Sequence, residues 1–510
     1  MTDVVIIGSG IAGLSCGALL AKYGFEVVVC ESHSIPGGAA HGFERQGFQF
    51  DSGPSLYSGL SYSPSPNPLR QVLDVLEVDV PWLTYDRWGC FLPEGNFDTT
   101  VGTEQFCQIL ADIRGKTAVR QWRNLQQMMQ PLAEAAVAIP PLAIRLDWQA
   151  IFTVGQFLPQ IIRQSRNISK LTGNLSSLLE GVITDSFIRN WLDLLCFLLS
   201  GLPADGTIAA EVAFMFAEWY RPGAVLDYPQ GGSAALVAAL VRGLEINGGK
   251  LLLNSHVAKI LLKNSQAVGV QLKNGKKIQA TRAVISNASI WDTLKLIPIE
   301  QLPPKLAKRK SIPQCESFMH LHLGINGDNL PANLACHHIV VNDWTKGINA
   351  AQNVVLISIP SLLDRNLAPQ GKHTIHVYTP ANEPYAIWQD IKRNTPEYEL
   401  LKQNRAEVMW QALARVIPDI RSRCELILVG TPLTHQRFLR RDRGTYGPAI
   451  SPQTGLFPSC LTSIPSLLCC GDSTFPGIGL PAVAASGAIA ANTLASLKHH
   501  QQMLKQIGLS

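Results

Sequence analysis

Three glycines near the start, in Gly8-Ser9-Gly10-Ile11-Ala12-Gly13, stand in a G-x-G-x-x-G spacing. That spacing suits a phosphate pair. Gly8 permits a tight turn, Gly10 lets the backbone approach a pyrophosphate, and Gly13 lets a helix pack closely on a strand. Glu31 follows, where its carboxylate can accept hydrogen bonds from a ribose. The flanking elements fit these roles. Asp3–Gly8 is a β-branched run that reads as a parallel strand buried on both faces. A helical stretch runs from Leu14 to Tyr23 and is ended by Gly24. A second strand, Glu26–Cys30, runs into Glu31. The helix N-terminus between them offers free N–H groups and a positive dipole end to phosphates. The glycine pattern alone is weak, but its strand–turn–helix–strand–acid context makes it a dinucleotide site.

Two further segments separate FAD from NAD. Pro36-Gly37-Gly38-Ala39-Ala40 places a glycine pair where a flavin diphosphate or ribityl chain needs close approach, and Phe50-Asp51-Ser52-Gly53-Pro54 follows it. Near the other end, Leu467-Leu468-Cys469-Cys470-Gly471-Asp472-Ser473 reads as an apolar strand entering Gly-Asp. Pro476-Gly477-Ile478-Gly479-Leu480-Pro481 and a helix of small residues come next, containing Ala485-Ser486-Gly487. This second strand–turn–helix would bring another helix N-terminus to the cofactor.

With these motifs the chain resembles the phytoene desaturase and carotenoid isomerase family of FAD-dependent oxidoreductases. The resemblance covers nearly the whole length, including Ser286-Asn287-Ala288 and Thr431–Gly447. Within that family it is most similar to cyanobacterial carotenoid 3',4'-desaturases and their plastid counterparts. The resemblance implies an α/β fold: a Rossmann-like FAD-binding domain of glutathione-reductase type, with an inserted substrate-binding sheet and a helical cap. The residues expected at FAD are Gly8, Gly10, Ile11, Ala12, Gly13, Glu31, Ser32, Gly37, Gly38, Ala39, Val257, Gly471, Asp472, Gly479, Pro481 and Ala482. Val257 is carried over from the family's strand whose backbone contacts the adenine.

At 510 residues the chain exceeds one core, which stops growing at about 250–300 residues. The FAD-binding domain is expected in pieces, 1–66, 229–290 and 455–510. A helical cap is expected over 67–228 and a substrate-binding domain over 291–454. Hydrophobic residues make up 46% and charged residues 16%, enough apolar surface for a large core. A net charge of +5 is too small for a nucleic-acid binder. The eleven cysteines include no C-x-x-C pair, which fits reduced, buried thiols and argues against zinc. Val4–Gly10 lacks the basic leader of a signal peptide. No uncharged apolar run reaches the roughly 18 residues that suggest a membrane span. Leu480–Leu497 comes closest, and its small residues suit a tightly packed helix instead.

The middle of the chain is mostly helical in pattern. Pro131–Arg166 is apolar, broken by Pro140-Pro141, with Arg163, Arg166 and Lys170 at its end; Phe187–Leu202 is a second such stretch. Buried cap helices and an interfacial patch on a membrane surface are both compatible with this pattern. Lys250–Lys259 reads as a strand containing His256, and Asn274-Gly275 as a hairpin turn. Glu316–Gly324 alternates as a strand, with His320 and His322 on one face. Metal ligation there would need a third ligand that the sequence does not identify, so no metal is expected. Arg437, Arg440, Arg441 and Arg443 form either a solvated basic face or a loop returning to the flavin. The tail after Lys498 reads as a frayed helix end.

No nucleophile elbow, Cys–His pair or metal cluster is visible, so the flavin would carry the chemistry and no catalytic side chain is nominated. In a desaturase, hydride would leave a substrate carbon for the flavin and a proton its neighbour, and a polyene would spread the developing charge. The expected activity is that of an FAD-dependent carotenoid 3',4'-desaturase. A carotenoid cis–trans isomerase using reduced FAD is the first alternative, and a lipid-binding escort protein without redox activity the second. An amine-oxidase-like flavoenzyme also stays open, because the fold does not fix the substrate. The expected partners are a carotenoid, a membrane surface and an electron acceptor such as a quinone. The expected location is peripheral, on the cytoplasmic or stromal side of a cyanobacterial or plastid membrane.

Overall fold

A five-stranded parallel sheet carries the N-terminal glycines. In the computed structural model, which describes residues 2–53, 55–102, 104–221 and 223–509, its strand order is Lys250–Leu252, Val27–Cys30 (β2), Val4–Ile7 (β1), Ala283–Ser286 and Leu467–Cys469. Pro54 lies outside the described residues. Every adjacent pair is parallel. Parallel neighbours need crossovers. Helix α1, Ile11–Lys22, is the first. The later ones are long: the chain leaves the sheet after Cys30 and returns at Lys250, then leaves after Ser286 and returns at Leu467.

β1 is buried on both faces, as its unbroken V-V-I-I run requires. Val4 and Ile6 pack into a cluster with Leu14, Leu244 and Ile489. These come from α1 and from helices Gly232–Ile246 and Leu480–Leu494. Val5 and Ile7 face the opposite way, onto Val257, Ile260 and Val270. Those belong to a three-stranded antiparallel sheet, Val257–Lys263, Gln266–Leu272 and Lys277–Gln279. Its last two strands flank Asn274-Gly275, the expected hairpin. Helix Leu480–Leu494 is built of small residues because it presses on α1: a side chain at Gly487 would come within 2.3 Å of the Ala12 carbonyl oxygen. Among the described residues no helix is long and apolar enough to cross a membrane.

The second layer is a seven-stranded sheet in the order Cys424–Gly430, Ser317–Asn326, Lys372–Glu383, Val354–Ser358, His337–Val341, Arg87–Leu92, Gly95–Thr100. Its back face packs on helix Pro396–Val416 through Met319, Leu321 and Leu323 against Met409 and Leu413. A helical layer, including Lys116–Ala136, Leu158–Leu171, Ser186–Ser200 and Ala209–Trp219, gathers around Trp122, Phe187 and Trp191.

Three local expectations are corrected. Residues 82–100, expected in the helical cap, are strands, and Arg87–Leu92 pairs in parallel with His337–Val341. Trp88, Cys90 and Leu92 alternate into the core, a period-two pattern inside a helical region. Lys250–Lys259 is not one strand. Lys250–Leu252 joins the parallel sheet and Val257–Lys263 the antiparallel one. The chain turns between them at Asn254, with φ 52°, and the Ser255 amide donates to the Glu31 carbonyl at 2.6 Å. The tail is not frayed. Helix Leu497–Gln506 is capped by Ser496, buries Met503 and Leu504, and docks through His500 Nε2, which donates to the Leu142 carbonyl at 2.8 Å.

Because β1 needs Ala283–Ser286 beside it and α1 needs Leu480–Leu494 against it, a fragment of residues 1–66 is expected to stay unfolded. Far-ultraviolet circular dichroism and amide exchange on that fragment check this; a protected, helical fragment would contradict it.

Candidate functional site

Every residue expected at the cofactor except Gly13 lines one cavity of about 1100 Å³. Gly13 sits just behind its wall, where a side chain would meet the Gly8 carbonyl oxygen at 2.2 Å. Gly8 has φ 93°, a turn that favours glycine. Helix α1 starts at Gly10 with no side-chain cap and no acidic residue in its first turn, so amides at its N-terminus face the cavity with a positive dipole end. Asn287, with its amide oxygen turned to the helix, accepts from the Gly10 and Gly13 amides at 3.1 and 3.2 Å. That gives the Ser286-Asn287-Ala288 segment a positioning role.

The glycine pair fits against this turn. The Gly37 amide donates to the Ser9 carbonyl at 3.0 Å, and a side chain at Gly38 would stand 3.1 Å from the Gly10 Cα. Glu31 is buried and engages both oxygens locally. One accepts from the Ser9 amide at 2.9 Å and the Ser9 hydroxyl at 2.7 Å; the other accepts from the His33 amide at 2.8 Å and the Ser32 hydroxyl at 3.2 Å. A carboxylate has about four acceptor positions, so these bonds fix the side chain beside the cavity. Val257 lines the same cavity next to His256 and Ala258.

The C-terminal segment approaches from the far side. Gly471 has φ 107° and its amide donates to Ser486 Oγ at 3.1 Å. Asp472 pairs with Arg441 at 2.5 Å. Helix Leu480–Leu494 starts at Gly479, again with no side-chain cap and no acid in its first turn. Two open helix N-termini from opposite ends of the chain therefore face one cavity, as a diphosphate and a flavin ring system require. Of the arginine cluster, Arg440 and Arg441 line the cavity, so that loop does return to the site.

The front face of the seven-stranded sheet supplies histidines. His320 and His322 share a face, and a third, His376, lies opposite His322 on the neighbouring strand. The sequence did not reveal His376, since only strand register brings it there. The His322 and His376 rings are 4.3 Å apart and parallel within 6°. His320 Nδ1 and His376 Nε2 are 3.0 Å apart and share one proton; His322 Nε2 donates to the Asp51 carbonyl at 3.1 Å. Ligating atoms of the three lie within 4.8 Å of one another. Three of the ring nitrogens are already engaged, His320 Nδ1 with His376 Nε2 and His322 Nε2 with the Asp51 carbonyl. Burial, helped by neighbouring histidines, holds His320 and His376 well below the usual histidine range. Burial lowers His322 to about 4 despite its bond to Asp51, and His435 to about 4. Of these four, His320 and His435 line the cavity and give it a polar surface that is uncharged at neutral pH, while His322 and His376 are not among its lining residues.

Beyond the histidines the cavity turns apolar, between Ala135, Ile139, Ile168, Leu171 and Leu198. Helix Ala209–Trp219 presents Glu211, Phe214, Met215 and Glu218 to it, the i, i+3, i+4, i+7 face of one helix. Glu218 accepts from the Tyr62 hydroxyl at 3.1 Å. Neither acid was singled out from the sequence. The available signal was an acid inside the otherwise apolar run Ile208–Phe216.

The buried neutral histidines couple stability to pH. The unfolded chain takes up protons below about pH 6.5, while the folded chain resists until about 4. This contribution is whole above pH 6.5 and is lost as pH falls toward 4, by at most about 1.4 kcal/mol per pH unit for each histidine. The melting temperature is expected to drop steeply between pH 6.5 and 4, and His322→Gln should show a shallower drop. An unchanged slope would refute this coupling.

The comparisons agree with this geometry. The family model for flavin containing amine oxidoreductases matches residues 11–495. Prolycopene isomerase 2, chloroplastic, of an Oncidium hybrid cultivar is 32% identical over 504 residues, spanning 97% of this chain and 84% of that protein. Prolycopene isomerase, chloroplastic, of Daucus carota is 32% identical over 502 residues, spanning 97% and 80%. The crystal structure of an oxidoreductase from Methanosarcina mazei superposes with a TM-score of 0.62 at 20% identity, covering 95% of this chain and 98% of that one, which supports the fold. Matched over nearly its whole length, the chain belongs to the flavin-containing amine oxidoreductase family and is an FAD-dependent, oxidoreductase-type enzyme.

Proposed function

We propose that this enzyme isomerises the double bonds of a poly-cis carotenoid with reduced FAD. The observation that carries this reading is the continuity of the cavity. One space runs from the glycine cradle at Gly10 and Glu31 past the histidine wall to Leu171 and Ala135. The relatives named prolycopene isomerase support the isomerase over the 3',4'-desaturase expected first. An isomerisation consumes no electron acceptor, so the quinone expected for a desaturase drops out of this reading.

In this proposal the backbone at Gly8, Gly10, Ile11, Ala12 and Gly13 holds the diphosphate. Glu31 and Ser32 lie at the adenine-side ribose, whose hydroxyls would take the place of the Ser9 or Ser32 hydroxyl on the Glu31 carboxylate, and Val257 lies along the adenine. Gly37, Gly38, Ala39, Gly471, Asp472, Gly479, Pro481 and Ala482 surround the remaining flavin portion. A reduced flavin, when bound, supplies an electron-rich ring that stabilises positive charge developing on a nearby polyene. The helices of the apolar half bind the hydrocarbon by excluding water, worth roughly 25 cal/mol per Å² of apolar surface buried. The uncharged histidine wall forms a polar boundary without an ion that would compete with such a charge.

Anaerobic incubation of the reduced flavoprotein with a poly-cis carotenoid is expected to shift the absorption spectrum at unchanged mass. Loss of hydrogen from the product, or an unchanged spectrum with flavin bound, would refute the reading.

The entry route follows from the surface. Trp148, Ile151, Phe152, Leu158 and Ile162 are exposed, with relative exposures of 52–76%. Helix Leu158–Leu171, which carries two of them, also lines the cavity through Ile168 and Leu171. With Arg163, Arg166 and Lys170 alongside, this patch suits the headgroup region of an anionic bilayer, from which a carotenoid could pass directly inward. Trp148→Ser with Ile162→Ser should abolish flotation with anionic vesicles while leaving flavin content intact. Equal flotation of variant and parent would exclude this surface.

A further inference from the structure

Glu211 stands apart from every other acid at the cavity. It is the third residue of helix Ala209–Trp219, where a purely helix-stabilising carboxylate would turn back to the Ile208 amide. No such bond forms, and among the described residues Glu211 has no hydrogen-bond or ion-pair partner, whereas Glu218 two turns later is held by Tyr62. Glu211 lines the cavity among Leu198, Leu199, Ile208 and Phe214.

The titratable groups facing it are Cys196 on helix Ser186–Ser200, Cys315 ahead of strand Ser317–Asn326, and Tyr446 on the returning loop. Burial pushes all three up, so none is ionised at neutral pH. The cation in this neighbourhood, Arg441, is engaged by Asp472 and by the Thr445 and Tyr446 carbonyls. Burial alone lifts the Glu211 carboxyl to about 8, so it carries a proton at neutral pH. Tyr446 lies within electrostatic reach of both Glu211 and Asp472, and its ring is 5.5 Å from that of Phe318 on the histidine strand.

We propose that Glu211 is the acid–base group of this cavity, lending a proton to one carbon of a cis double bond and taking a proton back from that same carbon. The inference rests on the isomerase reading above. In the first step the Glu211 O–H bond breaks and the π electron pair forms a new C–H bond. Positive charge spreads along the polyene, and the former double bond rotates as a single bond. In the second step the carboxylate removes a proton from that carbon, and the C–H electron pair restores the double bond in the trans form. No electrons are gained or lost overall, and Glu211 ends protonated as it began. A hydrocarbon offers no polar group for a carboxyl to recognise, which is why an unpartnered acid here is assigned to chemistry rather than to substrate binding.

The test uses the purified, reduced flavoprotein with a poly-cis carotenoid in deuterated water, alongside Glu211→Gln and Glu211→Asp. The wild-type rate should be lower in deuterated than in ordinary water, whether or not the product keeps the label, because the carboxylate can take back the deuteron it lent. Glu211→Gln should isomerise about a hundredfold or more slowly, with unchanged flavin content and melting temperature, and Glu211→Asp should recover part of the rate. The infrared difference between wild type and Glu211→Gln at neutral pH, read without substrate, should contain a protonated-carboxyl band. A wild-type rate unaffected by deuterated water, a Glu211→Gln rate equal to wild type, or absence of that band would each overturn the assignment while leaving the isomerase reading standing. A wild-type enzyme that isomerises nothing would overturn both.

Discussion

The structure depends on backbone meeting backbone where no side chain fits. Gly13 lies against the Gly8 carbonyl, Gly38 against the Gly10 Cα, and Gly487 against the Ala12 carbonyl. The first contact seats α1 on β1. The second lays the Gly37-Gly38 turn over the fingerprint. The third docks the C-terminal helix onto the N-terminal one. Together they hold two helix N-termini at one cavity, with their positive dipole ends toward it. A single methyl group at any of these points would separate the parts that must meet around the cofactor.

That constraint also explains the topology. A parallel sheet tolerates very long crossovers so long as each strand returns to its place. Two large insertions use this freedom. They leave at Cys30 and Ser286 and return at Lys250 and Leu467, so both begin and end at the same sheet. The seven-stranded sheet and the helical layer are built from these insertions and share strands, since Arg87–Leu92 pairs with His337–Val341. The second layer is therefore anchored beside the cofactor cradle, and its front face becomes the opposite wall of the cavity.

The chemistry of that wall is set by burial. Histidines that would titrate near neutrality in water stay uncharged, and Glu211 keeps its proton, because the surroundings offer no counter-charge. The charged groups close to the cofactor cradle are tied locally, Glu31 to Ser9 and His33, and Asp472 to Arg441. The cavity thus combines a polar, hydrogen-bonded cradle for the charged cofactor with an apolar lining that includes a neutral acid.

By itself the sequence determined whatever depends on neighbours along the chain. The glycine spacing, the V-V-I-I run, the small-residue C-terminal helix and the period-two placement of His320 and His322 were all legible, because each is a local requirement of turn, strand or helix geometry. The FAD assignment needed both chain ends, yet each end carried its own recognisable pattern. Only the tertiary structure decided the rest. His376 joins His320 and His322 through the register of two strands that are distant in sequence. Residues 82–100 become strands because a sheet edge was available to pair with them. That Glu211 has no partner among the described residues depends on side chains from several distant segments, and local pattern carries no record of what fails to arrive.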